Sequence, residues 1–282
     1  MERRLLVCTD LDRTLLPNGP QPESPQARML FARLAARREV TLVYVTGRHR
    51  KLVEKAINLY RLPFPDYVIT DVGTKLWHVA EGVWKERNDW ESEIAADWGD
   101  MTHPDLVALF RDIKALRLQE TAKQNRHKLS YYVPLQANRD LLLNQMRHRL
   151  EERGVRASLI WSVDEPAGIG LLDVLPARAT KLHAIEFLAT RLQFDQREIV
   201  YAGDSGNDMP VLASGVPSVL VANAAAGVRS VAESAAQAAG WADRLYVAKG
   251  GLLGMNGNYT AGILEGICHY VPDAQAWLEQ NA

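Results

Sequence analysis

Residues 5–15, Leu5-Leu6-Val7-Cys8-Thr9-Asp10-Leu11-Asp12-Arg13-Thr14-Leu15, restrict what this chain can fold into more than any other stretch. The mostly apolar run Leu5 to Thr9 predicts a strand buried on both faces, as found inside a parallel sheet. Where that strand should end, two carboxylates appear one residue apart. A strand exit ordinarily needs a turn former such as Gly, Asn or a single Asp. Two aspartates held side by side repel by about 4 kcal/mol at ~4 Å and an effective dielectric of ~20. Either a cation sits between them or one of them carries a proton.

A chain of 282 residues is long for one domain, which predicts one core with a sizeable insertion. Apolar residues make up 47% and charged residues 24%, an ordinary globular balance. A formal net charge of −1 excludes the basic footprint of a nucleic-acid binder. The short apolar run ending at Asp10 does not read as a signal peptide, and no stretch approaches a membrane span. The expected location is the cytoplasm. Cys8 and Cys268 are the only cysteines, and both read as small buried hydrophobes.

Strands and helices alternate along the first part of the chain. Ser24-Pro25 predicts an N-cap followed by Pro in the first helical turn. Val40 to Val45 reads as a second strand, closed by Thr46-Gly47-Arg48, and a helix with Val53, Ala56, Ile57 and Tyr60 on one face follows. Tyr67 to Thr70 is a third strand, ending at Asp71-Val72-Gly73. This is the pattern of a doubly wound, Rossmann-like α/β fold. From about Lys75 the texture becomes α+β, with a hairpin expected around Glu81-Gly82. The pattern resumes at the helix from Thr180 to Leu192. Residues 80–177 are therefore expected to form an inserted α+β domain, with 1–79 and 178–282 forming the α/β core.

Ligands of open parallel sheets bind beyond the carboxyl ends of the strands. Asp10 with Asp12, Thr46 with Gly47, Gly73, and Asp204 with Asp208 all fall at such ends, and Lys181 opens a helix able to reach the same crevice. Four carboxylates, a hydroxyl and an ammonium in one place suit a hard divalent cation such as Mg²⁺ beside a phosphate.

In order along the chain, Asp10-Leu11-Asp12-Arg13-Thr14, then Thr46, Lys181 and Gly203-Asp204-Ser205-Gly206-Asn207-Asp208 resemble the signature of the haloacid dehalogenase superfamily of phosphatases. The insertion looks like the α+β cap of the branch acting on sugar phosphates. The resemblance implies a role for each residue. Asp10 would attack phosphorus and carry an aspartyl-phosphate, and Asp12 would serve as general acid and then base. Thr46 and Lys181 would hold the phosphoryl oxygens. Mg²⁺ would be bound by Asp10, the Asp12 carbonyl and Asp204, with Asp208 in support; Ser205 and Asn207 would orient these ligands.

A closer resemblance, to sucrose-6-phosphate phosphatases, rests on Thr9 to Asp12, Val72-Gly73-Thr74, Lys128-Leu129-Ser130-Tyr131, Asp173 to Pro176, Gly203 to Asp208 and Ala261 to Gly266. In that family the cap supplies sugar contacts. Gln124, Asn125 and Lys128 are the cap candidates, and Asn223 is a candidate either for a crevice contact or for a turn. A sucrose-phosphate synthase-like glycosyltransferase is the partner this family suggests. Arg13 and the glycine-rich stretch Gly250 to Gly257 stand apart from the family pattern. Mannosylfructose-phosphate or mannosyl-3-phosphoglycerate hydrolysis, a hexose phosphomutase, a broad sugar-phosphate phosphatase and a non-catalytic sugar-phosphate-binding partner of a glycosyltransferase remain alternative expectations.

Overall fold

The structure is a computed structural model and describes residues 4–164 and 167–279. It divides into two compact units, Met1–Glu86 with Lys181–Ala282, and Arg87–Thr180. In chain order the strands are β1 (Leu5–Thr9), β2 (Val40–Val45), β3 (Tyr67–Thr70), β4 (Lys75–Ala80) and β5 (Val83–Glu86) in the larger unit. The smaller unit holds β6 (Arg117–Leu118), β7 (Leu129–Pro134), β8 (Ala157–Asp164) and β9 (Ile169–Pro176). The larger unit then resumes with β10 (Ile199–Gly203), β11 (Ser218–Leu220) and β12 (Leu245–Val247). The helices are α1 (Ala27–Ala35), α2 (Arg50–Tyr60), α3 (Asn88–Ala95), α4 (His103–Phe110), α5 (Arg139–Glu152), α6 (Lys181–Leu192), α7 (Met209–Leu212), α8 (Ala226–Ala238), α9 (Thr260–Tyr270) and α10 (Asp273–Glu279). Among the described residues none of them is long and apolar enough to cross a membrane.

The larger unit is built on an eight-stranded sheet in the order β12-β11-β10-β1-β2-β3-β4-β5. β1 lies inside it with every residue buried, as its apolar run requires. It runs parallel to β10 on one side and β2 on the other, with Thr9 opposite both Ala202 and Tyr44. That register brings the carboxyl ends of the three strands together, so Asp10, Thr46 and Asp204 leave neighbouring strands on one edge of the sheet. Helix α9 is buried along most of its length. A Cβ at Gly266 would lie 2.1 Å from Val219 and one at Gly262 2.2 Å from the Gly257 carbonyl, so the close approach depends on glycine at both places.

Three sequence expectations change here. The hairpin of β4 and β5 belongs to the main sheet, because β4 pairs antiparallel with β3 from Thr70–Lys75 to Tyr67–His78. The units accordingly divide at 86/87 and 180/181 rather than at 79/80 and 177/178. Ser24 does not cap α1, which starts at Ala27; its hydroxyl instead accepts a hydrogen bond from the Asn256 amide.

The smaller unit is an antiparallel sheet in the order β6-β7-β9-β8. Leu129, Tyr131, Val133, Leu172 and Val174, on alternate positions of β7 and β9, pack with Leu106 and Phe110 of α4 and Leu142, Met146 and Leu150 of α5. Thr102 and Asp105 form a capping box at the start of α4, and the Asn138 side chain caps α5. α3 and β6 were not expected. α3 carries Asp89, Glu91 and Glu93, whose charges mask its buried Trp90 and Ile94, and β6 has only two residues.

Candidate active site

Just past β1 the chain turns sharply. Leu15 and Leu16 both donate to the Leu11 carbonyl, and Arg13 sits in the left-handed region at φ 58°. The turn holds Asp10 in the interior while half-exposing Asp12. Past β10, Asp204 and Asp208 bracket a short 3₁₀ turn over Gly206–Asp208. Carboxylate oxygens of Asp10, Asp204 and Asp208 lie within 4.8 Å of one another, and all three residues are buried. Lys181, the first residue of α6, places Nζ 3.2 Å from Asp10 Oδ1 and 2.7 Å from Asp208 Oδ1.

The three carboxylates are not equivalent. Asp208 accepts hydrogen bonds from Lys181 Nζ, the Tyr201 hydroxyl, the Asp204 and Ser205 amides and the Ser205 hydroxyl. Both of its oxygens are thus engaged by protein donors. Burial works against its charge, but Lys181 and these donors hold its carboxyl below the usual range. Asp10 is pushed up to about 7 by burial, against the pull of Lys181 and with the Asp208 charge adding to the rise. Burial and the Asp208 charge likewise push Asp204 up to about 6. The Lys181 ammonium is deprived of water by burial, yet Asp10 and Asp208 outweigh that and raise its pKa. The Thr14 hydroxyl donates to Asp204 Oδ1 at 3.2 Å, and Arg13 Nε stands 3.6 Å from Asp204 Oδ2. Asp10 and Asp204 therefore form an oxygen-only donor pair whose charge the protein leaves partly unbalanced. That donor set fits a hard divalent cation such as Mg²⁺.

Asp12 is held apart from the triad. Arg48 grips its carboxylate with Nε to Oδ2 at 2.7 Å and a second nitrogen to Oδ1 at 2.6 Å, and Asn18 donates to Oδ1 at 2.7 Å. Partial burial opposes the charge, but Arg48 overrides it and holds the carboxyl below its ordinary value. Thr46 follows β2, and its hydroxyl accepts from the Arg48 amide at 3.2 Å. Gly47 follows Thr46 beyond the end of β2, and Gly73 lies just past β3. Gly73, at φ 96°, ends a run with Asp71 and Val72 in which all three residues are left-handed. Asn207 is exposed on the 3₁₀ turn.

The remaining candidates are engaged by their own unit. Lys128 is 8% exposed, and its ammonium lies 2.7 Å from Ser130 Oγ, 3.1 Å from the Lys123 carbonyl and 3.2 Å from Asp173. The Gln124 side chain bonds both the amide and the carbonyl of Ser130, which fastens its loop to β7. Asn125 Oδ1 accepts from the His127 amide within a local turn. Gln124 and Asn125 also line a cavity of about 660 Å³ in the smaller unit, together with Trp98, Met101, His103 and His127. Asn223 donates to the Arg13 carbonyl at 2.6 Å and accepts from the Tyr259 amide at 2.7 Å. Arg48, Arg13, Asn18 and Tyr201 were missed as site residues. Position alone marked two of them: Arg13 stands inside the Asp10–Thr14 motif, and Arg48 two residues beyond Thr46 at a strand end.

The chain matches the family of sucrose-6F-phosphate phosphohydrolases over residues 3–271. It belongs to this family. A HAD-like hydrolase of Nitrosococcus oceani is 51% identical over 279 residues, covering 99% of this chain and 75% of that protein. Sucrose-phosphatase 1 of Nicotiana tabacum is 31% identical over 228 residues, 78% of this chain, and the match spans about half (51%) of the tobacco protein. The sucrose-phosphatase of Synechocystis sp. PCC6803, solved with sucrose and phosphate, superposes with a TM-score of 0.72 at 28% identity, covering 95% of this chain and 98% of that one. The family fixes the class of reaction: this member of the haloacid dehalogenase superfamily is a phosphatase, a phosphoric monoester hydrolase with an α/β fold.

Proposed function

We propose that the chain is a Mg²⁺-dependent sugar-phosphate phosphatase that hydrolyses sucrose 6-phosphate to sucrose and phosphate through an aspartyl-phosphate on Asp10. The observation that supports this most is the buried meeting of Asp10, Asp204, Asp208 and Lys181 in a chain of this family. Asp10 and Asp204, with the Asp12 carbonyl, would hold the metal, and Asp208 would act from behind by fixing Lys181 and the Asp204 backbone. When bound, Mg²⁺ supplies charge compensation for the clustered carboxylates and the phosphoryl oxygens.

The rest falls to the chain's own groups. A carboxylate oxygen of Asp10 attacks phosphorus, and the bond from phosphorus to the sugar oxygen breaks. An alkoxide leaves poorly, so that oxygen takes a proton from Asp12. For this Asp12 must leave the grip of Arg48 and be protonated. Water then attacks phosphorus and gives its proton to Asp12, which frees the Asp10 carboxylate. Lys181 and Thr46 hold the phosphoryl oxygens as charge develops. The smaller unit would supply sugar specificity. On this reading the enzyme works in the cytoplasm, and a sucrose-phosphate synthase-like glycosyltransferase supplies its substrate.

The test is kcat/KM for sucrose 6-phosphate, mannosylfructose phosphate, glucose 6-phosphate and fructose 6-phosphate, each with Mg²⁺ and with chelator. Sucrose 6-phosphate should lead by about tenfold or more. Chelation should remove about two orders of magnitude of activity, and added Mg²⁺ should restore it. Equal rates on all four esters would make the chain a broad phosphatase, and full activity under chelation would remove the metal from the account.

A further inference from the structure

The turn carrying Asp10 and Asp12 is not self-supporting. Arg13, the residue after Asp12, is at φ 58°, which costs an L-residue other than Gly, Asn or Asp appreciable strain. Both of its backbone groups are held by asparagine side chains: the amide donates to Asn18 Oδ1 at 2.8 Å, and the carbonyl accepts from Asn223 Nδ2 at 2.6 Å. Asn18 is local to the turn. Asn223 reaches it from just past β11, 210 residues along the chain.

The other end of the Asn223 amide meets a second strained residue. Its Oδ1 accepts from the backbone amide of Tyr259, which is fully buried at φ 50°, ψ −130°. Tyr259 closes the stretch that begins at Gly250. That stretch leans on the segment beyond the catalytic turn through Asn256 and Asn258, which donate to the Pro22 carbonyl, and through the Tyr259 hydroxyl at Gln21. Thr260 then donates to the Leu15 carbonyl. One side-chain amide thus fixes two backbone positions that would otherwise relax, one of them beside the residues proposed to do the chemistry. Strained backbone of this kind persists only where its surroundings over-determine it.

We propose that Asn223 is a positioning residue: through the Arg13 carbonyl it sets the turn that aims Asp10 and Asp12, and it ties that turn to the Gly250–Tyr259 segment. This rests on the reading of Asp10 and Asp12 given above. It gives Asn223 no contact with substrate, and so takes the turn role rather than the crevice contact of the two that the sequence allows. It also gives a purpose to the glycine-rich stretch, which stands apart from the family pattern.

The test compares Asn223→Asp and Asn223→Ala with the wild type in the full chain, measuring kcat, KM and Tm with Mg²⁺ and sucrose 6-phosphate, or with whichever ester the panel favours. Asp keeps the acceptor for Tyr259 but turns the donor facing the Arg13 carbonyl into an oxygen. The expected result is a fall in kcat of about tenfold to a hundredfold, the scale of a small misplacement of reacting groups. KM should stay within about threefold, because Thr46 and Lys181 do not lie on the turn, and the kcat loss should persist at temperatures well below the variant's Tm. Two results would overturn the proposal: kcat within about twofold of wild type in both variants, or a loss that vanishes at low temperature and so reports stability alone. A wild type whose turnover does not depend on Asp10 would instead overturn the underlying reading.

Discussion

Asp10→Asn is expected to give a folded protein whose phosphate release falls by roughly 10⁴-fold or more. The amide keeps the shape of the carboxylate but cannot act as the nucleophile, and no other carboxylate takes its place. Asp204 is engaged by Thr14 and Arg13, Asp208 by five donors, and Asp12 by Arg48 and Asn18. Stability should hold or rise slightly, because the substitution removes a buried carboxyl already pushed up to about 7. Turnover near the wild-type rate would show that Asp10 is not the nucleophile.

Lys181→Met should be the most damaging single change to stability. It leaves Asp10 and Asp208 buried beside each other with no ammonium between them. Breaking a buried pair by removing one partner costs about 3–5 kcal/mol, read as a lower denaturant midpoint. Adding Asp10→Asn to Lys181→Met should recover part of that loss, since one of the two stranded carboxylates is gone. If Lys181→Met is as stable as wild type, or the double variant is no better than the single, the ammonium is not what balances this cluster.

The meeting of the carboxylates with Lys181 could be read from the sequence because each member sits where a parallel strand ends or a helix begins. Chain topology alone then brings Asp10, Asp204 and Lys181 together. The main sheet was legible for the same reason, except at β4 and β5, whose alternating Trp77, Val79 and Trp84 read equally well as an insertion hairpin. What could not be read is which polar side chains are already taken. Lys128, Gln124 and Asn223 are candidate ligand contacts in a sequence, and each also bonds protein groups: Asp173 and Ser130, the Ser130 backbone, and the Arg13 and Tyr259 backbone. Tyr201 was invisible for the complementary reason: a tyrosine inside a strand reads as core, although its hydroxyl donates to Asp208. Arg48 had only its place beyond Thr46 to mark it, although it grips Asp12. Strain at Arg13 and Tyr259 is a property of backbone angles and leaves no mark in residue type.

On the proposed mechanism Asp10 itself accepts the phosphoryl group. That step is tested most directly by a single turnover in heavy-oxygen water, with enzyme in excess over sucrose 6-phosphate and Mg²⁺ present, followed by mass spectrometry of the peptide bearing Asp10 and of the released phosphate. If water cleaves the aspartyl-phosphate at phosphorus, as proposed, the heavy oxygen appears in the phosphate, the Asp10 peptide stays unlabelled, and rapid acid quenching traps that peptide with one phosphoryl group attached. Label in the phosphate with no phosphorylated Asp10 peptide at any quench time, in an assay that resolves the turnover, would mean that water attacks the substrate directly and would contradict the account.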